Sequence, residues 1–140
     1  MTIILLLSLL LISLNVFIHY VALRGVAELA RRWNTDRYFV PPVLMFFMTI
    51  LHLVEIVFYA SVFYGLHIYT DLGSFKGDFD PIFRNYLYFS GATYTTLGMS
   101  NFYPAEEFKM LVVVESLAGF MMLTWSATFF YSQAGKFLRD

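Results

Sequence analysis

Hydrophobic residues run almost without a break over three long stretches of the chain, and the polar positions are gathered between them. Residues 2–23 carry no charge, and their only strongly polar interruptions are Asn15 and His19. The second stretch starts near Val43, just after a Pro41-Pro42 breaker, and runs to Tyr69; the third runs from Phe108 to Tyr131. Each exceeds the ~20 apolar residues needed to cross a hydrocarbon core of ~30 Å, so three transmembrane helices are expected. The first is not a signal peptide by its pattern: it has no basic leader, its apolar run is too long and no small-residue cleavage site closes it.

The segment between the second and third spans has a different pattern. Residues 70–79 are polar, and Asp80-Pro81 then reads as an N-cap followed by a first helical position, opening a helix at Ile82 that continues to about Thr95. At 1.5 Å per residue that helix is about 20 Å long, too short to cross, so it must enter and return by one face. Its C-terminal end carries the negative pole of the helix dipole, which favours a cation. Thr95, Thr96, Leu97, Gly98, Met99, Ser100 and Asn101 follow, and Phe102-Tyr103-Pro104 leads out. Non-helical backbone at membrane depth is tolerated only where it is buried in protein or lines water, so this loop is a candidate ion filter.

Composition agrees with a membrane protein: of 140 residues, 59% are hydrophobic and 20% aromatic. The absence of cysteine excludes structural disulfides and thiolate metal sites. Arg24, Arg31, Arg32 and Arg37 lie between the first two spans, and Lys136 and Arg139 follow the third, whereas the other side holds Lys76, Arg84 and Lys109. The positive-inside rule therefore places the 24–41 loop and the C-terminus in the cytoplasm, with the N-terminus and pore loop outside. Asp71, Asp78, Asp80, Glu106 and Glu107 add an acidic excess outside that would concentrate cations. Tyr20, Trp33, Tyr69 and Tyr103 suit an interfacial belt. No nucleophile elbow, metal-ligand cluster or phosphate loop is present, so no enzyme is expected, nor is a nucleic-acid partner or an organic cofactor.

These residues resemble the potassium-channel pore family, in which Thr-Val-Gly-Tyr-Gly-Asp-x-Tyr-Pro follows a pore helix and precedes an inner helix. Thr96, Leu97 and Gly98 match the first half of that pattern and Phe102-Tyr103-Pro104 its exit. Closer still is the resemblance to short bacterial ion-channel proteins with His-x-x-Glu before the pore and Glu-x-x-x-Gly then Trp-Ser-x-Ala after it. Here those are His52 and Glu55, Glu115 and Gly119, and Trp125, Ser126 and Ala127, with Tyr88-Phe89-Ser90 in the pore helix. The resemblance covers roughly residues 50 to 130. It implies a homotetramer around a central cation path, with a monovalent cation, potassium or sodium, held at Thr96, Leu97 and Gly98. Gly98-Met99-Ser100-Asn101 stands where the family has Gly-Tyr-Gly-Asp. Ser100 opposes a left-handed backbone angle at a cost of ~1–2 kcal/mol, so weak selection among monovalent cations is expected.

The ionisable groups inside the spans need partners, because a mid-bilayer charge costs ~2.5–3.5 kcal/mol on insertion scales. His52, Glu55 and Tyr59 share one helical face. A buried network behind the pore helix, linking Glu115 to His52 or to hydroxyls such as Ser90 and Thr93, is preferred over direct ion coordination. Gly119 is either a gating hinge or a small residue that lets helices approach. Phe120, Leu123, Thr124 and Ala127 would line the lower pathway.

The expected fold is thus an all-α membrane protein with three spans and a re-entrant pore helix. Residues 1–41 hold the first helix and a basic loop, 42–131 the pore domain and 132–140 a short tail. Two other readings stand beside the channel: a non-conducting accessory subunit with a degenerate filter, and a proton-coupled transporter using His19, His52, Glu55 and Glu115 as a relay.

Overall fold

The computed structural model describes residues 2–32, 37–98 and 101–138. Three long helices, α1 (Thr2–Arg32), α2 (Val40–Tyr69) and α4 (Phe108–Leu138), are each long and apolar enough to cross a membrane. A short helix α3 (Phe83–Tyr94) packs among α2 and α4, and α1 lies against α2 and α4. The outward sides of the long helices expose residues such as Leu6, Phe17, Phe46 and Val113. In a bilayer such a surface meets lipid tails as apolar as itself.

The helices overrun the spans in several places. Hydropathy ends the first span at Leu23, but α1 continues to Arg32, so most of the expected 24–41 loop is helical. Residues 24–32 are good helix formers, and Glu28 pairs with Arg31 and, at 2.7 Å, with Arg32, the i,i+3 and i,i+4 spacings that support a solvated turn. Pro41-Pro42 does not break α2. The prolines sit in its first turn, where a missing N–H costs nothing because that donor has no helical partner. Past Tyr131, α4 takes up residues 132–138 of the expected tail. Asp80 is not the N-cap of α3, which starts one residue after Ile82 without a side-chain cap. Instead the Asp80 carbonyl accepts from the Ile82 N–H and the Asn85 amide.

Residues expected as a polar loop and a filter exit form an antiparallel hairpin, β1 (Gly73–Gly77) with β2 (Phe102–Glu106). Phe75 faces Pro104 and Gly77 faces Phe102 in its register. Beneath it lies an aromatic cluster in which Phe75 stacks on Phe79 at 4.4 Å and meets Phe89 at 4.8 Å and Phe108 at 5.3 Å. Gly73 is required there, since a Cβ would stand 2.7 Å from Phe108 Cγ. The hairpin ties the segment after α3 to the one before it, anchoring both ends of the pore-loop region to one aromatic base.

Candidate functional site: the pore loop and its supports

α3 has twelve residues, about 18 Å of helix, and cannot cross a bilayer. Its C-terminal end is closed by a capping turn. The Thr95 N–H and hydroxyl both donate to the Gly91 carbonyl, at 3.1 and 2.7 Å, and the Thr96 N–H donates to Thr93 at 3.0 Å. Gly98 N–H reaches back to the Ala92 carbonyl at 3.1 Å. Gly98 has φ +67°, a conformation glycine adopts freely, but Thr96 has φ +60°. For a β-branched residue that angle costs about 1–2 kcal/mol and is a marked outlier. Thr95, Thr96, Leu97 and Gly98 are all exposed, as is Asn101. Met99 and Ser100, the core of the expected departure from the potassium filter, lie outside the described residues, as does Trp33 of the interfacial set.

Two buried polar clamps hold α3 from behind. In the first, the Tyr94 hydroxyl donates to Glu55 Oε2 at 2.5 Å, and His52 Nδ1 lies 3.1 Å from the same oxygen. Glu55 Oε1 faces His19 Nδ1 at 2.9 Å, and the far nitrogen of His19, Nε2, lies 3.3 Å from Ser126 Oγ. One carboxylate therefore joins α1, α2 and the end of α3, and reaches α4 through His19. In the second, Ser90 Oγ bonds both Glu115 Oε1 and, at 3.0 Å, the Ile56 carbonyl. Ser90 has a single proton to donate and the carbonyl can only accept. Both contacts are made together when the Glu115 carboxyl is the donor to Ser90.

The expected link between Glu115 and His52 is not made. His52 turns to the carboxylate one turn along its own helix, and Glu115 belongs to the separate Ser90 clamp. Thr93 takes part through its backbone carbonyl, which accepts from the Ser116 hydroxyl at 2.9 Å. Tyr59, on the face of His52 and Glu55, is fully buried, but its hydroxyl finds no partner among the described residues. Tyr94, Ser126 and Ser116 were not singled out as supports by sequence reasoning. The direct pairing of His19 with Glu55 was not singled out either, the two being grouped only in the proton-relay alternative, although Asn15 and His19, four residues apart, already marked an inward face with Ile4, Ser8, Leu11 and Leu23.

Gly119 is buried where α4 crosses the end of α3. A Cβ there would stand 2.8 Å from the Tyr94 carbonyl carbon and 2.9 Å from its Cα, with the carbonyl oxygen closer still. Of the expected inner-helix residues, Phe120, Thr124 and Ala127 are exposed on this single chain and Leu123 is half-buried. Phe120 and Thr124 share a shallow depression with Met121, Trp125 and Thr128, while Leu123 and Ala127 line a groove between α2 and α4 with Met48 and His52.

A family model described as an ion channel matches residues 44–135, which takes in most of α2, α3, the hairpin and most of α4 and leaves out α1. Comparison with curated proteins and with solved structures returned no match.

Proposed function

Since the chain belongs to the ion-channel family, of the potassium-channel type, and is a multi-pass membrane protein, we propose that four copies assemble around an axis and conduct monovalent cations with weak discrimination among them. The observation that carries this reading is α3: too short to span, held from behind by Glu55 and Glu115, and ending in an exposed segment, Thr95–Gly98. Carbonyls at a helix C-terminus favour a cation, and a closed ring of chains supplies enough of them to replace its hydration shell. Thr96, Leu97 and Gly98 form the inner ring of this reading and Met99, Ser100 and Asn101 its outer mouth. The N-terminus and the hairpin lie outside, and the C-terminus lies in the cytoplasm.

The test is the purified protein, weighed in detergent and then reconstituted in bilayers with potassium and sodium on opposite sides. A mass of four chains and a reversal potential near zero are expected. A monomer or dimer as the largest species overturns the tetramer, and a reversal potential displaced far from zero in the direction of potassium selectivity overturns weak selection. Intact tetramers that pass no current would make the chain an accessory subunit, and saturating flux that needs a proton gradient would make it a transporter.

A further inference from the structure

His19, His52 and Glu55 come from two helices, are 33 and 36 residues apart between α1 and α2, and converge inside the fold. One ligand atom from each lies within 4.8 Å of the other two. His19 and Glu55 are fully buried and the His52 side chain is 13% exposed. We propose that this cluster is a binding site for a borderline transition-metal ion of the Zn2+ class, which fastens α1 to the pore domain. It is distinct from the monovalent-cation path through Thr96–Gly98 and does not depend on whether that path conducts.

Two imidazoles and one carboxylate are a common donor set for such an ion, with a fourth position left open. Metal–ligand bonds of about 2.0–2.1 Å in a tetrahedron put neighbouring donors roughly 3.3 Å apart. His19 Nδ1 lies 2.9 Å from Glu55 Oε1 and His52 Nδ1 lies 3.1 Å from Glu55 Oε2, so each imidazole already stands at about that spacing from one carboxylate oxygen, and one ligand atom from each residue has at most 4.8 Å to close around a single ion. Each imidazole would bind through Nδ1 after its proton moves to Nε2. For His19 that proton meets Ser126 Oγ, 3.3 Å away, and Glu55 keeps the Tyr94 hydroxyl, so the outer partners that orient metal ligands are already in place. The cluster also reaches the surface through His52, which with Ser126 lines a groove of about 330 Å³ between α2 and α4. A carboxylate offsets one of the two charges of such an ion, which an apolar surrounding without that group would not tolerate.

The chain offers a clean test because it has no cysteine and three histidines. The third, His67, bonds the Tyr86 hydroxyl at 2.6 Å under the hairpin, away from the cluster. The full chain in detergent is stripped with chelator, dialysed against Zn2+ and assayed for bound metal, and Co2+ is used as a visible probe. One Zn2+ per chain is expected, with Co2+ absorption of a tetrahedral nitrogen–oxygen site. His19→Gln keeps a hydrogen-bond donor toward Glu55 and with it the fold, but should weaken binding at least about 10-fold; His67→Ala should leave it unchanged. Monodisperse wild-type protein that takes up no Zn2+ overturns the proposal. So does binding that His19→Gln leaves intact, or a Co2+ spectrum without tetrahedral bands. His52→Ala should weaken binding likewise, and where that variant does not fold, the wild-type Co2+ spectrum and His19→Gln decide the matter.

Discussion

Gly119→Ala separates a packing glycine from a gating hinge, because the two roles predict opposite signs. In a helix interior alanine is better than glycine by about 1 kcal/mol, so a glycine kept only for flexibility should yield a more stable protein when replaced. At Gly119 the added Cβ would lie 2.8 and 2.9 Å from the carbonyl carbon and Cα of Tyr94. Carbon atoms settle at about 3.5–4.0 Å, so α4 and the end of α3 must part by at least roughly 0.7 Å. The obstructing atoms are backbone and cannot rotate aside. The Tyr94 end is also pinned by its hydroxyl on Glu55 and by the Ser116 bond to Thr93, so the separation strains those contacts as well. Overpacking costs typically about 1–3 kcal/mol, and after a propensity gain of about 1 kcal/mol the net effect is destabilisation by up to about 2 kcal/mol per chain. Gly135→Ala, in the same helix with nothing within 4 Å of its Cβ, is the matched control and should be neutral or stabilising. Thermal unfolding and size exclusion in detergent read both variants. If Gly119→Ala is as stable as Gly135→Ala, the close approach is not what holds α4 to the pore helix, and the hinge reading takes its place.

Two substitutions probe the clamps. Tyr94→Phe removes a bond to a carboxylate without leaving a cavity and should lower stability by about 1.5–3 kcal/mol; an unchanged unfolding temperature would refute the claim that Glu55 holds the end of α3. Glu115→Gln keeps a donor for Ser90 and should fall within about 1 kcal/mol of the wild type. Glu115→Asp, one methylene short, should cost about 1–3 kcal/mol, and equal damage from both would mean that the carboxyl does not act as the donor.

The three spans were legible because an uninterrupted apolar run has one stable solution in a bilayer. Hydropathy reports where the chain leaves the hydrocarbon and not where a helix stops, which is why Arg31 and Arg32 end α1 well past Leu23. The hairpin was illegible for a different reason. Gly73 to Gly77 has glycine at both ends and lysine near its middle, a poor strand by composition, and it becomes one only by pairing with Phe102–Glu106 across the intervening α3. That pairing is non-local, so no window of sequence contains it. His52 and Glu55, at i,i+3 on one helix, could be read as partners from spacing alone. His19 was grouped with them only in the relay alternative, and its direct contact with Glu55 was not legible, because that contact rests on the packing of α1 against α2 and α4, the same packing that brings together the three ligand atoms of the proposed metal site.

The placement of these groups also bears on what a potassium-like scaffold does with charge. Glu55 and Glu115 are the most buried acids of the described chain, and each bonds a side chain of α3 through one oxygen, Glu55 to Tyr94 and Glu115 to Ser90. A site held on a rigid element by a supporting shell keeps its geometry, whereas one held by its own loop does not. Here the support is unusually complete on one side: Tyr94 and Ser90 are anchored, Gly119 allows α4 to lie against the helix end, and the hairpin fixes the chain on either side of the loop. The strain at Thr96, φ +60°, sits two residues beyond Tyr94, the last anchored residue of α3. Left-handed threonine persists only where its surroundings over-determine it. Among the described residues of one chain that determination comes from the capping bonds to Gly91, Ala92 and Thr93, and in the proposed tetramer three neighbouring copies of the same turn, with a cation between them, would supply the rest.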